Sequence, residues 1–162
     1  MNLNRRTLTL TVTLTLALIA GCATTPAPTT IADTAARTPQ LSTLSKLIND
    51  AGLADTLRGA GPFTVFAPSD EAFKAVSVKT LAELAADKEL LKSVLTFHVL
   101  PGKVVAADVK NGNVKTVQGA NLAVSRSGTF VTVEDAVVQQ ADVPATNGVI
   151  HIIDKVLIPP KR

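Results

Sequence analysis

The sequence predicts an α+β fold with a mainly antiparallel sheet system. Two observations predict it. Between Thr38 and Gly102, apolar residues recur mostly at helical spacing, interrupted by one short β-prone run. Beyond Gly102 the pattern changes to short β-prone runs separated by glycine-containing turn pairs. Helices gathered in one half and strands in the other argue for segregated α and β layers. The chain is 162 residues long, enough for one ordinary domain, and it shows no internal repeat.

Met1 to Arg6 carries two arginines and no acid, and Thr7 to Ala20 carries no charge. A basic start, a short apolar run and small residues before a cut are the marks of a secretory signal, here residues 1–21. The run is short for a bilayer core of about 30 Å, which takes roughly 20 apolar residues. Its Thr/Leu alternation has a strand-like period, but its position and the arginine pair favour the signal. Leu18-Ile-Ala-Gly-Cys22 resembles the lipobox of bacterial lipoproteins, in which the cysteine becomes the first mature residue and is acylated. That resemblance assigns a lipid to Cys22, the only cysteine in the chain, which has no disulfide partner. Several acyl chains on one residue make a firm membrane anchor. The Arg5-Arg6 pair also fits twin-arginine export, although ordinary signals often carry two arginines.

Cleavage at this point changes the charge. The whole chain has 16 basic and 13 acidic residues; losing Arg5 and Arg6 leaves 14 against 13, formally +1. A basic surface for nucleic acid is therefore not indicated, and no lysine/arginine cluster interleaves with aromatics. Residues 22–38, rich in Thr, Ala and Pro, read as a lipidated flexible tether without helical or strand period.

Thr38-Pro39 offers an N-cap and a first-turn proline. Leu41, Leu44, Leu47, Ile48 and Ala51 then mark one buried helical face, and Gly52 breaks it. Phe63–Pro68 is a strand that feeds a helix capped by Ser69, with Asp70 and Glu71 in the first turn, where the helix dipole favours negative charge. Val78 to Ala86 is a further helix. Asp87 caps the next, Lys88 to Phe97, on which Leu91, Leu95 and His98 share a stripe. Pro101-Gly102 is expected to stop it. Val114–Val117, Asn121–Ser125, Thr129–Val133, Val137–Gln140 and Val149–Ile158 are the strand candidates. Asn111-Gly112, Gln118-Gly119, Ser127-Gly128 and Asn147-Gly148 are the turn pairs.

Three segments together resemble one family. Gly61–Phe73 (GPFTVFAPSDEAF) resembles the first signature block of the fasciclin (FAS1) domain, Leu91–Val104 its central Tyr-His block, and Asn147–Pro159 its second signature block. The resemblance covers residues 39–160 as one domain. It implies a wedge of two mainly antiparallel β-sheets with several helices alongside. It also implies extracellular adhesion or protein contact, usually without catalysis. Thr64, Phe66, Pro68, Ser69, Asp70, Phe73, Asn147, Gly148, His151 and Asp154 match the signature positions. Phe97 stands where the family has tyrosine, so the packing surface is kept and the hydroxyl lost. Asp142-Val143 resembles the Asp-Ile segment that animal adhesion members present to integrins, which points to an exposed recognition loop. Phe97, His98, Asp142 and Val143 are accordingly the candidate binding residues.

The two histidines are the remaining chemical candidates. His151 lies in an apolar strand and reads as a buried, hydrogen-bonded residue at a strand–helix contact. His98 closes an apolar helical stripe, and from the family's packing it is expected to bond the Ser69-Asp70 segment. A catalytic histidine needs a nucleophile or an orienting carboxylate in reach, and no Gly-x-Ser-x-Gly elbow supports one. Two distant histidines and one acylated cysteine do not form a zinc or copper cluster. No loop has calcium-site spacing, and Gly59-Ala-Gly61 is too short to cradle phosphate. No cofactor or metal is expected.

The sequence thus reads as a noncatalytic, monomeric binding module, exported and held to the cell envelope by lipid at Cys22. In a two-membrane cell the outer membrane is favoured, since Ala23 is not aspartate. The partner would be an extracellular protein or glycan. A competing reading is a secreted enzyme or small-ligand carrier that uses His98 or His151. It requires a concave pocket with a titratable pair, whereas the binding module requires both histidines buried.

Overall fold

The computed structural model describes residues 29–159. The expected signal, Cys22 and residues 22–28 of the expected tether lie outside the described residues. The rest of that tether is not a tether. Ile31–Arg37 is a helix, α1, with Thr30 as its N-cap, Asp33 in its first turn and Arg37 in its last. Ile31, Ala32 and Ala35 are buried, Ile31 to 1% exposure. A seven-residue helix offers too few apolar positions to show a period, and its burial comes from the rest of the fold.

Thr38 closes α1, its hydroxyl donating to Thr34 O (2.8 Å). Pro39–Leu41 is a 3-10 turn, not the first turn of an α-helix. The next helix, α2 (Ser42–Asp50), buries Leu44 and Ile48. Its cap is borrowed. Asp70 accepts Thr43 N–H at 2.8 Å and the Ser42 hydroxyl at 2.7 Å. Burial alone would raise the Asp70 carboxyl, but these bonds outweigh it and hold the group below its ordinary value.

After α3 (Ala54–Arg58), strand β1 (Phe63–Pro68) leads into α4 (Asp70–Ala75), where Ser69 accepts Ala72 N–H as expected. The helices α5 (Val78–Ala86) and α6 (Lys88–Phe97) follow, capped by Ser77 and Asp87. Helix α6 ends before Pro101-Gly102. Val99–Pro101 is strand β2, paired antiparallel to β1. The remaining strands are β3 (Gly112–Lys115), β4 (Asn121–Ser127), β5 (Phe130–Val133), β6 (Ala136–Ala145) and β7 (Gly148–Ile153).

The strands run in the order β2-β1-β7-β6-β5-β4-β3. Every pair is antiparallel except β1 with β7, which run parallel from Phe63↔Gly148 to Pro68↔Ile153. The two sheets of the expected wedge are thus linked through β6, whose pairing with β7 shifts register twice between Val138 and Val143. Such bulges bend a strand and re-aim its side chains. Strand β6 outruns the expected Val137–Gln140 by five residues, and β7 stops at Ile153, leaving Asp154–Pro159 without regular structure.

The β1/β7 pair is buried on both faces, and alternation sends its side chains into two cores. Val65, Ala67, Ile150 and Ile152 join Ile31, Leu44, Leu57, Leu91 and Leu95 in a core beneath the helices. On the other face Phe66 and Ile153 join Leu122, Val131, Val133, Phe97 and Leu157 beneath the second half of the sheet.

Candidate functional site

The signature residues gather along the β1/β7 seam in three stations. At its start is Asn147. Its Oδ1 accepts Ile31 N–H (2.9 Å), and its Nδ2 donates to Leu57 O (2.7 Å) and Gly59 O (2.9 Å). One carboxamide therefore satisfies the start of α1 and the end of α3, whose backbone groups have no intrahelical partners. Gly148 follows because the chains touch there: a Cβ would fall on Phe63 O and within 2.8 Å of Ile31 Cδ1. Replacing Asn147 with alanine leaves two partly buried backbone groups, Ile31 N–H and Leu57 O, and the exposed Gly59 O without this partner. It is expected to cost about 2 kcal/mol, seen as a lower urea midpoint at unchanged slope.

Midway along the seam, Thr64 is fully buried. Its hydroxyl donates to Gly102 O (2.7 Å) and accepts Val104 N–H (2.8 Å), fastening the loop after β2. His151 fastens the same loop from β7. Asp142 N–H donates to Nδ1 (3.2 Å), so Nε2 carries the proton and donates to Val104 O (2.8 Å). The ring is 1% exposed and stacks on Phe66 at 5.6 Å between centroids. His151 is buried and hydrogen-bonded as expected, but it joins a loop to the β6 bulge, with no strand–helix contact in its bonding.

At the far end, Ser69 N–H donates to Ile153 O (3.0 Å). Asp154 accepts Val137 N–H through Oδ1 (2.7 Å) and donates its own N–H to Val137 O (3.1 Å). Phe73 is buried among the helices, and Pro68 pairs with Ile153.

His98 does not bond Ser69-Asp70. Its Nε2 accepts Leu157 N–H (2.9 Å), and Nδ1 donates to Val94 O (2.7 Å), the carbonyl four residues back in α6. Asp70 is already taken by α2. The His98 ring is 2% exposed. Desolvation pushes its pKa down to about 4, against a smaller opposing effect of the Val94 bond.

The four candidate binding residues separate. Phe97 and His98 are each 2% exposed and cannot touch a partner. Asp142 and Val143 lie in the β6 bulge, not in a loop. Asp142 sits at φ 58°, its carboxylate accepting Ala106 N–H (2.8 Å), and Val143 packs half-buried on the helical core. The left-handed turn at Asp142 and the adjacent Pro144 disguise the strand as a loop. Sequence reasoning missed Phe130, a 69% exposed aromatic on β5. It faces Ser127, and Thr132 lies between Ser125 and Val137 on the neighbouring strands. An aromatic in a β-prone run gives no sign of which face it takes.

A small, partly open cavity of about 30 Å³ lies between α2, α3 and α6, lined by Leu44, Ile48, Leu57, Phe63, Val99 and His98. Small-molecule sites are typically some 300–1,000 Å³, and both nitrogens of this imidazole are occupied by backbone. Among the described residues no group of three or more His, Cys, Asp or Glu could hold a metal ion.

A family model described as "Fasciclin domain" matches residues 39–159. The chain belongs to the fasciclin family. Among relatives of this fasciclin domain, "Protein sll1483" of Synechocystis is 43% identical over 133 residues, covering 81% of this chain and 74% of that one. The "Cell surface glycolipoprotein MPB83" of Mycobacterium bovis is 37% identical over 149 residues, 89% of this chain and 65% of the relative. A FAS1 domain pair from the insect cell adhesion molecule fasciclin I has the same fold, with a TM-score of 0.64 at 21% identity, over 81% of this chain and 51% of that one. The expected α+β fasciclin wedge is therefore the observed fold. The described structure adds α1 ahead of the matched residues.

Proposed function

We propose that this protein is a lipid-anchored, extracytoplasmic binding module that works by noncovalent contact with a protein or glycan partner. The observation that carries the noncatalytic part is the wiring of His98 and His151, whose four ring nitrogens are all committed to backbone groups within the fold. An acid–base residue needs a nitrogen facing substrate.

Support for the anchor comes from the extent of one match. MPB83, named a cell surface glycolipoprotein, aligns with 89% of the 162 residues, about 144, and only 140 residues follow Cys22. That alignment therefore includes Cys22 and reaches into the lipobox-like segment before it. With Phe97 and His98 enclosed, contact falls to surface positions, and Phe130 is the most prominent aromatic among the described ones.

The test uses the full chain expressed in a bacterial envelope. Mass spectrometry of the membrane fraction is expected to find an acylated N-terminal peptide beginning at Cys22, and Cys22→Ser is expected to move the protein to the soluble fraction. An unmodified Cys22 in a soluble native protein would overturn the anchor. Substrate turnover abolished by His98→Gln or His151→Gln in a folded protein would favour the enzyme reading.

A further inference from the structure

The chain after β7 is held in an unusual way. Asp154 is tied to Val137 on β6. From Lys155 to Pro159, the one hydrogen bond among the described residues is Leu157 N–H to His98 Nε2. Leu157 is 4% exposed and packs with Phe97 and Leu100, both of which it helps to cover. Ile158 beside it is 60% exposed. The segment is a strap across one end of the second core, fastened by Leu157 in that core, by half-buried Val156 against the helical core, and by one imidazole lone pair.

That lone pair is the weak point. Nδ1–H donates to Val94 O in either protonation state. Nε2 accepts only while it is bare. An added proton turns it into a donor facing the donor N–H of Leu157, and two donors do not bond. Among the described residues the acids closest to the strap are Glu134 and Asp135, which line the cleft beside Phe97 and Leu157, and neither bonds the ring. Strand β1 has no titratable residue, and neither does the turn at Thr116–Ala120. On α6 the charged residues are Lys88, Glu89 and Lys92, on α2 Lys46 and Asp50, and on α3 Asp55 and Arg58; all are exposed. The strap itself carries exposed Lys155 and half-buried Asp154, whose carboxylate is taken by Val137. No acid bonds the His98 ring.

We propose that His98 is a proton-operated latch on the strap Asp154–Pro159. In its neutral form it holds Leu157 N–H; in its protonated form it releases the strap and uncovers the apolar surface of Phe97 and Leu100. Release is local. Helix α6 stays anchored through Leu91 and Leu95, and β7 stays paired on both sides, so opening the strap costs less than unfolding the domain. The burial that holds the ring's pKa near 4 acts in the same direction: the opened ring regains an ordinary value near 6.5. Acid therefore favours the open form by up to tenfold per pH unit in that window. From pH 7 to pH 4.5 the linkage gives about 60-fold.

Hydrogen exchange of the full chain, read by mass spectrometry and corrected for the intrinsic pH dependence of exchange, tests this. Between pH 7 and 4.5 the protection of the 156–158 amides is expected to fall by about 60-fold, while the 150–152 amides of β7 hold. The Phe97 region should become able to bind a hydrophobic dye over the same range. In His98→Gln, whose carboxamide offers a neutral acceptor, strap protection should stay flat, and in His151→Gln the response should persist. Flat protection at 156–158 in the unmodified protein overturns the proposal. So does loss in step with β7, or an unchanged acid response in a folded His98→Gln. If that variant does not fold, the contrast between 156–158 and 150–152 within one wild-type sample decides.

Discussion

Alanine at position 148 is expected to lower stability by about 3 kcal/mol or more, enough to leave a domain of ordinary stability largely unfolded at 37 °C. Gly148 does not need glycine for its backbone angles. It needs it for space. The added Cβ would meet Phe63 O and C and Ile31 Cδ1. The first two are backbone atoms of the parallel partner strand, so relief requires β1 and β7 to move apart at their first pair, with α1 above them. Overpacking against backbone cannot be relieved by a rotamer change. Gly52 provides the control. It sits at φ 68° with nothing within 4 Å of its would-be Cβ, so Gly52→Ala should cost only the left-handed strain, on the order of 1 kcal/mol. Urea midpoints of the two variants measure the contrast, and equal midpoints would refute the close-approach account.

The second large effect is a pH dependence. His98 titrates at about 4 in the folded chain and near 6.5 when unfolded. The unfolded state therefore binds the proton first as pH falls. The contribution to stability is complete above about pH 6.5. It declines by about 1.4 kcal/mol per unit below that, and roughly 3 kcal/mol is gone by pH 4. Denaturant titrations at a series of pH values should show this slope in the wild type, and His98→Gln should flatten it between pH 6.5 and 4. A wild-type midpoint that is level across this window would refute the burial of a neutral ring.

Most of the fold was legible because its elements carry local signals. Ser69 and Asp87 mark their helices with side chains that accept first-turn N–H groups. Gly112, Gly119 and Gly128 take the positive φ that their turns demand. The alternation of β7 placed Ile150 and Ile152 on one face and His151 and Ile153 on the other, as the two cores show. What stayed hidden depends on distant partners. Ile31 is buried only because Asn147 and Gly148 receive it. Asp70 looks sufficient as a first-turn acid of α4, yet it caps α2. The three residues of β2 form a strand only against β1. At the candidate site, both histidines were legible as internal residues from their apolar flanks. Their partners Val104, Asp142 and Leu157 were not, because no spacing rule links a ring to a backbone group 9, 47 or 59 residues away.

The parallel pairing of β1 with β7 has a consequence for the order of events during biosynthesis. An interior strand of the sheet, β7, comes last in chain order among the described strands, and α1 waits for Asn147 across 116 residues. Contacts that close so long a loop are slow to form. A nascent chain that has emerged only as far as the β6–β7 turn has two half-cores and no seam to join them. Until β7 is delivered, such a chain lacks a strand that both cores share, so its arrival completes the two together.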